Sequence, residues 1–259
     1  MKAARLLALL FITVAWMAWT GCSLVWPSYS NSPLPSQNPS LQGHRVSYVA
    51  VAKRENRVVG VLKVDTSQVH DLAPWGRHAA DLCADWYPRI ATQLGVAEVS
   101  SNRVITLYFH RRDGVANTDP KTGLISFSQA YVHGHTNDWG LVIHELVHTL
   151  QSYGTNETGY HGWLSEGIAD YFRLALFEPD APLPRLNPDT ASHTNSYRTT
   201  ATFLRWLVKT RDPDLIRKLN LAIRDGQYSP ATIQTITGRT WDELWAEFMS
   251  AWRAKQVRF

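Results

Sequence analysis

The sequence predicts an α+β domain in which an N-terminal mixed sheet packs against one apolar helix and a helical C-terminal part follows. Two observations carry this prediction. Short segments with the pattern of β-strands come first along the chain, and helical periodicity dominates from residue 138 onward. The chain has 259 residues, of which 44% are hydrophobic, and this is enough to bury one sizeable core.

The N-terminal segment is not expected to belong to this domain. A basic start, a short apolar run and small residues ending at Cys22 are typical of a secretory signal peptide over residues 1–22. The segment before Cys22 also resembles a lipoprotein cleavage box, so simple cleavage and lipidation both stay open. Residues 23–43 are rich in Ser, Pro and Asn and predict a disordered linker, which leaves residues 44–259 as the folded domain. We therefore expect an exported protein, periplasmic or extracellular, that is tethered to a membrane if Cys22 is lipidated.

The predicted sheet comes from four short segments. Residues 46–52 and 58–64 flank a polar turn and predict a hairpin. Residues 104–109 alternate like a half-buried strand, and residues 123–128 predict another strand after a Pro- and Gly-containing turn. Between the two pairs, residues 75–94 place apolar side chains at helical spacing and predict a helix that ends at a glycine.

The rest of the chain is predicted to be helical. Apolar periodicity and start and stop signals define five helices, over residues 138–152, 163–176, 197–209, 213–224 and 240–254. This order, with strands first and helices after, is the basis of the α+β prediction.

Composition excludes some functions. The 26 basic and 22 acidic residues give a formal charge of +4, an excess too small and too dispersed for nucleic-acid binding. Most of the 11 Trp residues lie in amphipathic segments, where core packing is the favoured interpretation. Cys83 is expected to be a buried small hydrophobe, and two Cys residues cannot build a thiolate zinc site. We expect a monomer.

The strongest functional signal is the string His144-Glu145-Leu146-Val147-His148 inside the most apolar helical segment. Side chains four residues apart project from one face of a helix, so the two imidazoles can converge on one metal ion. Glu145 then lies next to any water on that ion. This HExxH pattern supplies two ligands and the general base of a zinc hydrolase, and the alternative is a pair of hydrogen-bonded core histidines.

A third ligand is expected from the next helix. After His148 a glycine-containing loop reverses the chain, and Glu166 occupies the first turns of the following helix, where it could face the two histidines. Three protein ligands leave one position for water, as in catalytic zinc sites. Asp170, one turn further, could accept a hydrogen bond from the outer nitrogen of a ligating histidine. The alternative is a polar, exposed helix face, but Gly167 and Ala169 indicate tight packing.

Three segments of the chain, residues 144–151, 162–171 and 197–204, carry a family resemblance. Together they resemble the basic secretory protein family of plants and bacteria, a branch of the gluzincin-type metallopeptidases. The similarity extends from about residue 46 to the C-terminal helices. It implies a zincin-like fold, Zn²⁺ bound by two histidines and a glutamate, and hydrolysis of peptide bonds.

The implied mechanism assigns two further roles. Glu145 takes a proton from the attacking water, and Tyr197 is our choice for the donor that stabilises the oxyanion. The other candidates for that donor lie in loop segments: Tyr160, His161 and His193. By the resemblance, the strand at residues 124–128 is expected to be the edge strand that pairs with an extended peptide substrate.

Two rival functions stay open. The basic pI, the many Trp residues and the possible tether would also suit a non-catalytic cell-surface or wall-binding protein on a zincin scaffold. A zinc hydrolase of a non-peptide amide or ester would use the same metal chemistry. The sequence does not separate the two kinds of hydrolase, and it suggests no cofactor other than zinc.

Overall fold

The computed structural model describes residues 47–96, 103–153, 161–187, 189–195, 197–257 and 259. The predicted signal peptide, the linker and Tyr160 lie outside the described residues. Among the helices of the described part, none has the length and apolar character needed to cross a membrane.

A mixed sheet forms the N-terminal half, as predicted, but it has five strands rather than the four predicted. Its strands are β1 Ser47–Arg54, β2 Arg57–Asp65, β3 Arg103–His110, β4 Ala116–Asp119 and β5 Leu124–Ser128. Their order in the sheet is β1-β2-β3-β5-β4. The inner pairs β2–β3 and β3–β5 are parallel, whereas the outer pairs β1–β2 and β4–β5 are antiparallel.

The edge strand next to the predicted active-site helix is β4, so the expectation that residues 124–128 form the edge is wrong. The chain turns after β4 and returns as β5, and the register places Thr118 opposite Ile125. β5 therefore lies between β3 and β4. The sequence of β4, Ala-Asn-Thr-Asp, lacks the β-branched alternation that marks a strand, because its place is set by pairing with β5 rather than by its own propensity.

The helices follow the predicted order. They are α1 Ala73–Gln93, α2 Gln129–Gly134, α3 Trp139–Gln151, α4 Gly162–Tyr171, α5 Tyr197–Thr210, α6 Leu215–Arg224, α7 Thr232–Thr237 and α8 Trp241–Arg253. The short helices α2 and α7 were not predicted. The segment predicted as one helix over residues 163–176 changes at Phe172 into a π-helix, Phe172–Phe177. The α+β prediction is confirmed.

An aromatic cluster fixes α1 and α3 against the sheet. The rings of Trp75 in α1 and Trp139 in α3 stack with centroids 4.8 Å apart. Trp75 also meets Phe109 of β3 and Phe127 of β5 edge-on, at 5.7 and 5.5 Å. Cys83 is fully buried in α1, and burial raises the pKa of its thiol, as expected for a small core residue. The helix α3 is thereby held rigidly on the sheet.

The close contact between α4 and α5 depends on Gly167. A Cβ atom at this position would lie 2.1 Å from Cγ2 of Thr200, so even a methyl group requires the two helices to move apart.

Gly167→Ala is expected to lower the free energy of unfolding by about 1–3 kcal/mol, as measured by chemical denaturation. Gly134→Ala is the matched control, because a Cβ there would meet nothing within 4 Å. An equal loss in both variants would contradict the packing argument.

Candidate metal centre

The helix that carries the histidines is well anchored at both ends. Asp138 caps the start of α3 by accepting a hydrogen bond from the Leu141 amide at 3.2 Å. The helix ends at Ser152, whose backbone is left-handed with a φ of 44°. Between these ends the apolar side chains are buried in the core, and His144 and His148 lie one turn apart. Their imidazoles therefore start from a fixed backbone.

Three donor atoms meet in one small triangle. The Nε2 atoms of His144 and His148 are 3.1 Å apart. Oε2 of Glu166, from the start of α4, lies 3.1 Å from Nε2 of His144 and 3.4 Å from Nε2 of His148. A tetrahedral zinc ion with donor distances of about 2.0–2.2 Å has donor–donor edges of about 3.3–3.6 Å. The spacing of the three atoms therefore fits a metal of this kind.

The outer nitrogens of both rings have acceptors. Nδ1 of His144 lies 2.8 Å from Oδ1 of Asp170, and Nδ1 of His148 lies 2.7 Å from Oε1 of Gln151. The orientation of the Gln151 amide is itself fixed, because its Nε2 donates to the Ser165 carbonyl at 3.0 Å. Carboxylate and amide oxygens only accept, so both rings carry a proton on Nδ1, and the Nε2 atom of each ring faces the centre of the triangle.

Two ring nitrogens and a carboxylate oxygen that face one another need a positive charge between them, carried either by protons on the imidazoles or by a metal ion. The pKa values of His144 and Glu166 are shifted in the directions that favour a positive charge at this point. Burial alone would lower the pKa of His144, but hydrogen bonds with Asp170 and Glu166 outweigh it and raise the pKa to about 10. Burial alone would raise the pKa of Glu166, yet hydrogen bonds from the two histidines hold it well below its ordinary value. The group His144, His148 and Glu166 could therefore hold a metal ion.

Glu145 lies beside this triangle and contacts the edge strand. Its side chain is buried, and its Oε2 accepts a hydrogen bond from Oγ1 of Thr118 in β4 at 2.7 Å. The same hydroxyl lies 3.1 Å from the Glu145 carbonyl oxygen. The predicted base is therefore close to the metal-binding group, with a carboxylate whose orientation is restrained by a neighbouring strand.

A cavity of about 790 Å³ opens over these residues. Glu145 and the three possible ligands line it. Val115, just before β4, and the first three residues of β4 line it as well. Its size and its mixed polar and apolar lining suit a bound segment of an organic substrate. Residues of the edge strand thus form part of the cavity wall.

Tyr197 at the start of α5 lines the same cavity. Its ring is half exposed and lies 6.2 Å from the ring of His144 between centroids. The negative charge of Glu166 raises the pKa of its hydroxyl, so the phenol stays protonated and able to donate. Two alternatives make their ring contacts elsewhere: His193 with Trp163 at 4.9 Å, and His161 with Tyr153 at 6.3 Å. The role of Tyr197 stays a prediction.

An ion-pair network ties α3 to the π-helix that follows α4. Arg173, at the start of the π-helix, donates to Asp138 at 2.8 Å and to Glu178 at 3.3 Å. A Cβ atom on Gly140 would lie 2.5 Å from Oε1 of Glu178, so the Arg173–Glu178 pair rests directly on α3. This contact joins the N-terminal end of α3 to the segment that follows Asp170. It helps to fix the distance between the histidines and the acidic residues.

Three residues that shape the site were not predicted from the sequence. Gln151 had a signal, since it lies three residues after His148 on the same helix, where side chains meet. Thr118 had no such signal in the sequence. It lies in a strand that was not predicted, and its partner Glu145 is 27 residues away. The role of Arg173 depends on the π-helix, which was not predicted and which places Arg173 beside Asp138.

Comparison with known proteins identifies the family. No curated protein matches the chain. A family described as "BSP: Peptidase of plants and bacteria" matches residues 87–248, more than half of the 259 residues. The matched segment contains all three possible ligands, Glu145 and Tyr197. The chain belongs to this family of peptidases of plants and bacteria.

Proposed function

We propose that the protein is a zinc-dependent metallopeptidase with a zincin-like fold, in which His144, His148 and Glu166 hold the metal and Glu145 is the general base. The observation that carries this proposal is the donor triangle with edges of 3.1, 3.1 and 3.4 Å beside a buried glutamate in a cavity. Membership of a peptidase family supports peptides or proteins as substrates.

The donor set favours zinc over magnesium and calcium. Two imidazole nitrogens and one carboxylate oxygen suit Zn²⁺, whereas Mg²⁺ and Ca²⁺ prefer sites built from oxygen ligands alone. When bound, zinc would lower the pKa of a coordinated water far below that of bulk water, towards about 7, and would polarise a carbonyl group. Three protein ligands are typical of catalytic rather than structural zinc sites.

The residues around the metal divide the remaining work. Glu145 accepts a proton from the attacking water and delivers it to the nitrogen of the leaving amine. Asp170 and Gln151 keep both imidazoles in the tautomer that presents Nε2 to the metal. The hydroxyl of Tyr197 donates to the oxyanion that develops on the scissile carbonyl.

The edge strand β4 is the proposed binding element for the substrate backbone. It pairs with β5 on one side, and its residues line the cavity on the side of Glu145. An extended peptide that pairs with β4 would gain main-chain hydrogen bonds and depend little on side-chain identity. The proposed substrate-binding strand is therefore β4 instead of residues 124–128. Pairing of an edge strand with an extended peptide, which the family resemblance implies, is retained.

Cleavage of a mixed peptide library tests the proposed function. The zinc-loaded protein is expected to cleave internal peptide bonds, to lose this activity on incubation with a chelator, and to regain it on addition of zinc. A non-catalytic wall-binding protein would bind zinc but cleave nothing. A hydrolase of non-peptide amides would turn over small amide or ester probes while it leaves the peptide library intact, and either result would reject the proposal.

We also propose that the mature protein acts outside the cytoplasm, because the start of the chain has the composition of an export signal. Its substrates would then be periplasmic or extracellular peptides. The intact mass of the mature protein distinguishes an acylated Cys22 from a simply cleaved chain. A mature protein that retains residues 1–22 unprocessed and is found in the cytoplasm would contradict this proposal.

A further inference from the structure

We propose that Thr118 is a positioning residue for the general base, and this inference rests on the proposed function of Glu145. Thr118 Oγ1 lies 2.7 Å from Glu145 Oε2, a short hydrogen bond from a hydroxyl to a carboxylate oxygen. Thr118 belongs to β4 and Glu145 to α3, so the contact joins two elements that are 27 residues apart in sequence. The same hydroxyl lies 3.1 Å from the Glu145 carbonyl oxygen, so the shorter of its two contacts is the one to the carboxylate.

The hydrogen bond divides the two oxygens of the Glu145 carboxylate. Oε2 is held by Thr118, while among the described residues Oε1 has no hydrogen-bond donor. Oε1 is therefore the atom that takes up the proton of the attacking water. A carboxylate held at one oxygen cannot rotate freely, so the other oxygen keeps a constant position relative to the reacting atoms.

The position of Thr118 also connects the base to the substrate. Its backbone is part of the edge strand that lines the cavity, and its side chain fixes Glu145. A peptide that pairs with β4 would thus dock on the same strand that aims the base. The backbone of β4 would then position both the substrate and, through Thr118, the Glu145 carboxylate, and so it would set the distance between the scissile carbonyl and Oε1.

Two substitutions separate the hydroxyl from the shape of the side chain. Thr118→Val keeps the β-branched volume that suits a strand but removes the donor, whereas Thr118→Ser keeps the donor. In the zinc-loaded enzyme we expect Thr118→Val to lower kcat by about 10–100-fold with KM within about twofold, and Thr118→Ser to restore most of kcat. Zinc content and thermal stability are measured for each variant and are expected to stay at the wild-type level.

Full kcat in Thr118→Val would overturn the inference, and so would an equal defect in the Ser variant, which would assign the effect to packing of β4. Crystal structures of the zinc-loaded variants provide a readout without turnover. The Glu145 carboxylate is expected to leave its wild-type orientation in Thr118→Val and to keep it in Thr118→Ser. An unchanged carboxylate in the Val variant would contradict the positioning role even if no peptide substrate were cleaved, so this arm is independent of the proposed function.

Discussion

Replacing Glu145 by Gln is expected to lower kcat by about 10²–10⁴-fold while the protein keeps its zinc. The amide is close in shape to the carboxylate, and Glu145 is not one of the three donors that meet around the metal position. The substitution therefore leaves the ligands in place and removes the group that accepts the proton. Metal analysis and single-turnover cleavage of a peptide identified from the library measure the two properties separately.

Glu247→Gln is the matched control for this experiment. It makes the same chemical change on α8, at a residue paired with Arg211 and outside the cavity lining. We expect its kcat to equal that of the wild type. Wild-type turnover in Glu145→Gln would remove Glu145 from the mechanism, and loss of zinc in that variant would indicate that it is a ligand instead.

Glu166→Ala is expected to lower the affinity for zinc by more than about 100-fold. Loss of a residue that only hydrogen-bonds to a metal ligand typically costs about 10–100-fold, and loss of a ligand itself costs more. The substitution removes the only carboxylate oxygen of the donor triangle, so two imidazoles remain. After dialysis against a weak chelator the variant should contain little zinc, whereas the wild type should keep close to one equivalent. Circular dichroism establishes that the variant is folded.

Asp170→Asn is the control for Glu166→Ala. Asp170 accepts the Nδ1 proton of His144 but contributes no atom to the triangle, so its variant is expected to bind zinc with full stoichiometry and moderately lower affinity. Unchanged zinc content in Glu166→Ala together with complete loss in Asp170→Asn would exchange the roles of the two carboxylates.

The proposed ligands and the proposed base could be selected from the sequence because their grouping depends on local order. The spacing of His144 and His148 on an apolar helix fixes their common face, and Glu166 follows after a single reversal of the chain. The long helices were predicted for the same reason, since their apolar periodicity is strong. The structure brings all three side chains together within 4.8 Å.

The parts that escaped prediction depend on contacts between distant segments. β4 is a strand because β5 pairs with it, and its own residues are polar. The change from α-helix to π-helix at Phe172 has no signal in an apolar run whose periodicity continues. Thr118 became part of the site only because β4 lies against α3, which no local pattern of residues reveals.

X-ray absorption at the zinc edge, combined with a zinc titration of the metal-free wild-type protein, tests whether two imidazoles of α3 and the carboxylate of Glu166 bind one ion. We expect one equivalent of tightly bound zinc, surrounded by nitrogen and oxygen atoms at about 2.0–2.2 Å with a signal from two imidazole rings. A protein that takes up no stoichiometric zinc, or whose bound zinc shows no imidazole signal, would contradict this expectation.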